Sequence, residues 1–459
     1  MKVFAEKKRT MDMTEGNILK IIITFAVPLF LGQLFQQLYN TVDSYVVGNY
    51  VSNAAFAAVG NTGPIINTLI GFFSGLATGA GVVISQYFGA KDYENVKKAV
   101  NTTIVMTLIL GVIFTFIGIS MVPFMLRLMK TPEEVFGEAS IYLTVYFSGV
   151  LGLMLYNVGS GILRAVGDSR RPFIFLVISA LTNVALDLLF VLAFDMGVAG
   201  VAYATIISQA FSAILVMIVL ITSKDCYRIS VKDFKCSFSI LKKIIKVGLP
   251  ASLQMAVTAF SNVFIQSYIN YFGANFMSGW TAYAKIDQFV LLPMMSISMA
   301  STTFVGQNLG KGNSKRAKQG ANLSLLMAVV FTVILMIPVL IFAPDLVRFF
   351  NKESEEVVIY GAMLLRIISP FYVLCCVNQI YSGALRGAGK STAPMVIMLV
   401  SFVAFRQLYL AIVSAVYNHY ILVALGYPAG WILCSTLIFI YYCKSGWENK
   451  VLIKKGESD

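Results

Sequence analysis

The sequence predicts an all-α integral membrane protein with twelve transmembrane helices in two parallel six-helix bundles, related by pseudo-two-fold symmetry about the membrane normal. Three observations carry this. Hydrophobic residues make up 58% of the 459 and charged residues only 12%, with a mean hydropathy of +0.78, whereas soluble chains carry about a quarter charged residues. Apolar runs of about 20 residues, long enough to cross a bilayer, occur twelve times. The chain is also written twice: Leu163-Arg164-Ala165-Val166-Gly167, followed by Ser169 and Pro172, returns as Leu385-Arg386-Gly387-Ala388-Gly389, followed by Ser391 and Pro394, at a shift of 222 residues. Gln86 and Gly89 return as Gln307 and Gly310, and Pro28 and Asn40 as Pro250 and Asn262. Repeats of this kind within apolar segments are a hallmark of secondary transporters, whose substrate sites lie where the repeats meet.

Taken in order, residues 1–17 are polar, with Lys7, Lys8, Arg9, Asp12 and Glu15 and no small-residue cleavage site. They predict a retained cytosolic segment, an amphipathic lead-in rather than a signal peptide. Runs centred roughly on residues 31, 70, 109, 151, 182 and 210 form an N-lobe over 18–222. A basic cytosolic linker, 223–239, opens the stretch from Lys224 to Lys246 and marks the domain boundary. Runs near 258, 292, 330, 371, 404 and 432 form a C-lobe over 240–443, followed by a cytosolic tail, 444–459. In the second span Gly71, Gly75 and Gly79 give overlapping small-xxx-small spacing, which favours close helix packing. In the eighth, Met294, Met295 and Met299 suit either an ordinary packed surface or a wall that accepts varied apolar ligands.

An even number of spans per repeat makes the copies parallel, and the charges give the orientation. With both termini inside, 28 of the 35 Lys and Arg fall in cytosolic segments, four in outer loops and three within spans. The net charge of +13 is therefore the positive-inside pattern facing an anionic lipid surface, and requires no nucleic acid.

Catalysis is disfavoured. His419 is the only histidine and sits in a predicted outer loop, so no intramembrane acid–base or nucleophilic centre can be assembled around it. Gly387 to Ser391 has the ending of a phosphate-binding loop without its spacing. The six cysteines lack a paired metal or disulfide spacing. The chain reads as no enzyme and as needing no cofactor, so energy must come from an ion gradient or from a partner.

Charges inside spans cost about 3 kcal/mol at the bilayer centre and are functional candidates by default. Asp187 follows Asn183 by four residues, so both project from one helix face. A carboxylate with an amide suits an oxygen-lined Na⁺ site or a protonatable pair; the plainer reading is a buried Asp satisfied by its Asn. Asp43 lies about 33 Å along the first helix, near the outer interface, where a helix-end polar residue is the competing explanation. Lys285 and Asp287 in the eighth span are two positions apart and need different partners. Arg366 and Arg406 are the available cations, and an Asp287–Arg406 pair joining C-lobe helices is the structural expectation.

With these residues in view, the chain resembles the multidrug and toxic compound extrusion transporters of the DinF-like, Firmicutes-type bacterial branch. The resemblance covers about residues 14 to 445 and rests on Pro28 with Tyr39-Asn40-Thr41-Val42-Asp43, Gln86 to Ala90, Leu163 to Gly167, Asn183 to Asp187, Gly197 to Gly200 and the C-half copies. It implies two six-helix bundles around a cavity open alternately to either side. Antiport is implied too, with inward Na⁺ or H⁺ driving lipophilic organic cations outward. Carried over residue by residue, it implies a coupling-cation site at Asp43, Asn183, Asp187 and Thr205. Gln36, Asn40 and Asn157 are candidates for orienting substrate in the cavity. The seventh span lacks the acidic residue another branch uses, which favours the N-lobe route.

The resulting expectation is a monomeric, multi-pass exporter of the cell membrane, its partners small organic cations and the bilayer. The rival is a flippase or exporter of lipid-linked or anionic substrates on a related fold. Such a cavity should be rich in Arg and Lys, and the N-half spans hold none, although Lys285, Arg366 and Arg406 keep that rival open. A major-facilitator transporter would carry a Gly- and Arg-rich loop where this chain has Gln86 to Asp92.

Overall fold

The structure, a computed structural model, describes residues 10–51, 53–129, 131–229, 235–350, 354–449 and 451–453. Its first six crossings are α1 (Ile18–Tyr50), α2 (Asn53–Gly89), α3 (Tyr93–Leu128), the pair α4 (Glu133–Ser148) and α5 (Val150–Ala165), α6 (Arg170–Leu188) and α7 (Gly197–Thr222). The second six are α8 (Phe238–Asn270), α9 (Ala274–Gly310), α10 (Ser314–Ile341), α12 (Glu355–Ile368) with α13 (Tyr372–Gly387), α14 (Thr392–Leu399) with α15 (Arg406–Val416), and α16 (Tyr420–Ala424) with α17 (Gly426–Lys444). A short α11 (Ala343–Phe350) lies between α10 and α12. Among the described residues ten segments are long and apolar enough to span a membrane alone, and α4 and α5, bent by 49° about Gly149, make an eleventh crossing. The twelfth is α8, whose 33 residues reach about 50 Å at 1.5 Å per residue and whose basic first turns, with Lys242 and Lys243, dilute its apolar character.

Local chemistry repeats with the sequence. Asn17 and Ser237 cap α1 and α8 by accepting a backbone N–H, as Asp92 and Asn313 cap α3 and α10. Gly167 and Gly389 both take positive φ, +87° and +79°, where a side chain is strained. The repeated Leu-Arg-x-x-Gly motif thus ends a helix in a left-handed turn. Spans five and eleven each contain a π-helical stretch, Leu189–Ala193 and Val400–Phe405. The first begins two residues beyond Asp187; the second ends at the residue before Arg406. Such bulges re-aim the side chains beside them.

The two bundles interlock at the face that bears both termini. A Cβ added at Gly75 would stand 2.3 Å from the Ser252 nitrogen, and one at Gly79 2.4 Å from the Gly248 Cα, so the small-residue stripe of α2 does pack directly on α8. Ile240 and Ile244 of α8 belong to the N-lobe core. Reciprocally, Ile22, Phe25, Ala26 and Leu29 of α1 belong to the C-lobe core. The first helix of each half is therefore shared between both bundles, and the divide predicted near 223–239 does not separate two independently packed units.

Two glutamines lock this face with the same geometry. Gln86 Nε2 donates to the Gly387 carbonyl at 2.9 Å while its Oε1 accepts the Leu452 N–H at 3.0 Å. Gln307 Nε2 donates to the Ala165 carbonyl at 2.9 Å and accepts the Met13 N–H at 2.9 Å. Each side chain thus crosses to the opposite half's Leu-Arg-x-x-Gly helix end and anchors one chain terminus. Of the N-terminal segment, Met13 to Gly16 form a turn ahead of α1; residues 1–9 lie outside the described residues. The turn is pinned by Asn308 on the Met13 carbonyl and by the Lys311–Glu15 ion pair.

Candidate functional site

The N-lobe encloses a cavity of about 310 Å³ toward the face away from the termini. Helix α1 lines it with Gln36, Tyr39, Asn40 and Asp43, at i, i+3, i+4 and i+7, the period of one helix face. From α5 comes Asn157, and from α7 come Thr205 and Gln209, one turn apart. Tyr142 and Tyr146 of α4, stacked with ring centroids 6.4 Å apart, supply an aromatic wall.

Asn183 and Asp187, on α6, are buried at 2% and 0% exposure and do not line the cavity. They stand behind Asp43, whose carboxylate faces that of Asp187. Neither Asp187 oxygen and not Oδ1 of Asp43 receives a hydrogen bond, and the Asn183 amide neither donates nor accepts one. Ionised carboxylates are acceptors only, so two of them in contact in a low-dielectric interior require a proton or a metal cation between them. The Thr205 hydroxyl donates to the Val201 carbonyl at 3.0 Å, which leaves its lone pairs directed at the cavity. The donor set is oxygen-rich and suits a hard cation such as Na⁺ as well as it suits a proton.

All four residues assigned to the coupling cation, and all three assigned to substrate, thus fall in or against one chamber. Tyr39, Tyr142, Tyr146, Gln209 and Asn67 also border it and were not expected. The i, i+4 spacing of Tyr142 with Tyr146 and of Thr205 with Gln209 was a usable signal. Which face of each helix meets the chamber was not.

The C-lobe charges do not form a second cluster. The expected Asp287–Arg406 pair is absent among the described residues. Arg406 donates to Ser261 Oγ and Asn262 Oδ1, each at 3.0 Å, and stacks on Tyr427 at 4.8 Å. The Tyr283 hydroxyl donates to Asp287 across a long 3.5 Å, with the Tyr372 hydroxyl alongside. Four residues separate Tyr283 from Asp287, so the partner lies on the same helix face. Tyr427 meets the Arg406 guanidinium where a carboxylate was expected. Lys285 is exposed, with its ammonium over the Phe350 ring at 5.6 Å, and Arg366 is exposed near the end of α12.

A second cavity, of about 280 Å³, lies between the lobes toward the termini-bearing face. It shares Gln36, Tyr156, Asn157 and Leu176 with the first, so the two chambers adjoin along α1, α5 and α6.

Twelve crossings in two repeats around adjoining internal chambers define a membrane transporter of the internally repeated class. The MatE family model matches residues 28–189 and again 250–427, once per half, and the chain belongs to this family of multidrug and toxic compound extrusion transporters. It is 32% identical over 437 residues to the probable multidrug resistance protein YpnP of Bacillus subtilis, covering 95% of this chain and 97% of the relative. It is 26% identical over 450 residues to the probable multidrug resistance protein NorM of Thermotoga maritima, covering 96% and 95%. Its fold superposes on a MOP superfamily transporter from Pyrococcus furiosus with a TM-score of 0.90 and 25% identity, covering 96% of this chain and 98% of that one.

Proposed function

We propose that this transporter exports lipophilic organic cations across the cell membrane in exchange for Na⁺ or H⁺, working as a monomer with both termini in the cytosol. The single observation that supports this best is the buried carboxylate pair, Asp43 and Asp187, three of whose oxygens (Asp43 Oδ1 and both of Asp187) lack a hydrogen-bond donor beside a chamber walled by tyrosines. An empty pair of this kind is unfavourable, so a cation entering from the far face is held strongly. The same carboxylates and the tyrosine rings attract a lipophilic organic cation. Coupling follows from competition: the pair cannot neutralise both cations at once, so binding one shifts the population away from the state that holds the other. The names of the relatives, multidrug resistance proteins in Bacillus subtilis and Thermotoga maritima, support a broad small-molecule substrate range.

The test is efflux of a fluorescent lipophilic cation from proteoliposomes under separately imposed Na⁺ and pH gradients. One gradient should drive dye movement and identify the coupling ion. Dye that moves under neither gradient overturns the reading.

A further inference from the structure

The interlobe cavity is opposite in chemistry to the N-lobe chamber. Arg164 and Arg386, the arginines of the two Leu-Arg-x-x-Gly copies, both line it, and no carboxylate does. Arg386 is 8% exposed. Among the described residues neither guanidinium has a hydrogen-bond or ion-pair partner, and the neutral Tyr156 phenol in the same lining donates to the Pro172 carbonyl at 3.1 Å. Several hydroxyls around them are engaged: Thr78 donates to Ser74, Ser85 to Val82, and Thr302 to Ser298 or Gly383, all at backbone carbonyls. The two guanidinium forks are the charged donors this lining offers a ligand. Other arginines in the same chain are not left this way: Arg171 pairs with Asp168 at 3.2 Å and Arg406 has its two side-chain acceptors. Each unpaired arginine also occupies the last turn of its helix, α5 or α13. The negative helix end offsets part of its charge there without satisfying its five N–H groups.

From this we infer that Arg164 and Arg386 form a pseudo-symmetric oxyanion site between the lobes, taking a phosphate-class anion, either free or as the headgroup of an amphiphile. Guanidinium forks match the tetrahedral face of a phosphate bidentately, and one fork from each repeat places the anion where the halves meet. The site is separate from the carboxylate pair and stands whether or not organic cations are exported.

The experiment uses the purified full-length transporter in detergent, titrated calorimetrically with inorganic phosphate and with soluble dihexanoyl phosphatidate. Both probes should bind the wild type if the site takes free anions, and only the phosphatidate if it takes lipid headgroups. Arg164→Gln and Arg386→Gln should each weaken binding about tenfold or more, the range for losing a charged hydrogen-bonding partner. Lys285→Gln, outside this cavity, should leave it unchanged. Arg386→Lys keeps the charge, guards against misfolding, and should also bind more weakly because the fork is gone. Where both probes bind, bound phosphatidate should be displaced by inorganic phosphate and not by sodium chloride of equal ionic strength. If neither probe binds, or the Arg164→Gln/Arg386→Gln double variant binds like the wild type, the site does not exist.

Discussion

Asp187 is a residue whose removal should help the fold and harm the function. Its two oxygens are buried without a donor beside a second carboxylate, so replacing it by the neutral isostere Asn removes a desolvated charge while keeping the shape. In Asp187→Asn we expect gradient-driven dye efflux to fall at least about tenfold, the scale of losing a charged binding partner. The melting temperature without Na⁺ should stay level or rise; a marked fall would show that Asp187 is a structural anchor instead. Asp12, outside the spans, behaves in the opposite sense. Partial burial raises its pKa, but the Thr14 hydroxyl and N–H, donating at 2.5 and 2.9 Å, with Lys311 and Lys91 nearby, bring it below the ordinary 3.8. A depressed folded-state value means the carboxylate's contribution is complete above about pH 4 and is lost as pH falls through that lower value. Docking of the N-terminal turn, read by limited proteolysis ahead of Met13, should therefore be constant from pH 7 to pH 5 and weaken only in stronger acid. Asp12→Asn should be loosened at every pH.

Among the helices, the closed termini-bearing face depends on α2 and α9 crossing without side chains between them. A Cβ at Gly89 would lie 1.9 Å from the Gln307 carbonyl oxygen, and one at Gly310 1.9 Å from that of Gln86. Gly89→Ala and Gly310→Ala must therefore push the helices apart. Gln86→Ala and Gln307→Ala should act in the same direction for a different reason, since each strips a buried backbone carbonyl and a backbone N–H of its partner, at a cost of about 1–3 kcal/mol per orphaned group. A shift of that size changes a two-state ratio about tenfold or more. The measurement is labelling by a membrane-impermeant thiol reagent of a cysteine substituted for Ser85, which is fully buried against α9, with the native cysteines replaced. Labelling should rise in each latch variant. Equal labelling in wild type and variants would mean that the glutamines do not hold the face shut.

For the molecule as a whole, the order and number of crossings were legible because the bilayer sets a length and the repeat sets a register. Gly75 and Gly79 announced a close helix contact of α2, though not that α8 is its partner. What stayed hidden was azimuth. Apolar runs give depth in the membrane and not the direction a side chain faces, so Asp287 was matched with Arg406, while Arg164 and Arg386 were counted with the cytosolic cations. The exchange of first helices was hidden for the same reason, and it has a consequence that can be measured. Because Ile22, Phe25, Ala26 and Leu29 complete the C-lobe core, and Ile240 and Ile244 the N-lobe core, neither half buries its own interior alone. Cavities left by such residues cost about 2–5 kcal/mol each, beyond what one bundle can absorb. Residues 1–229 and 230–459, made as separate chains in one cell, should co-purify through a tag on either and recover dye efflux; each made alone should be degraded. Stable accumulation of either half by itself would show that the shared helices are peripheral to both cores.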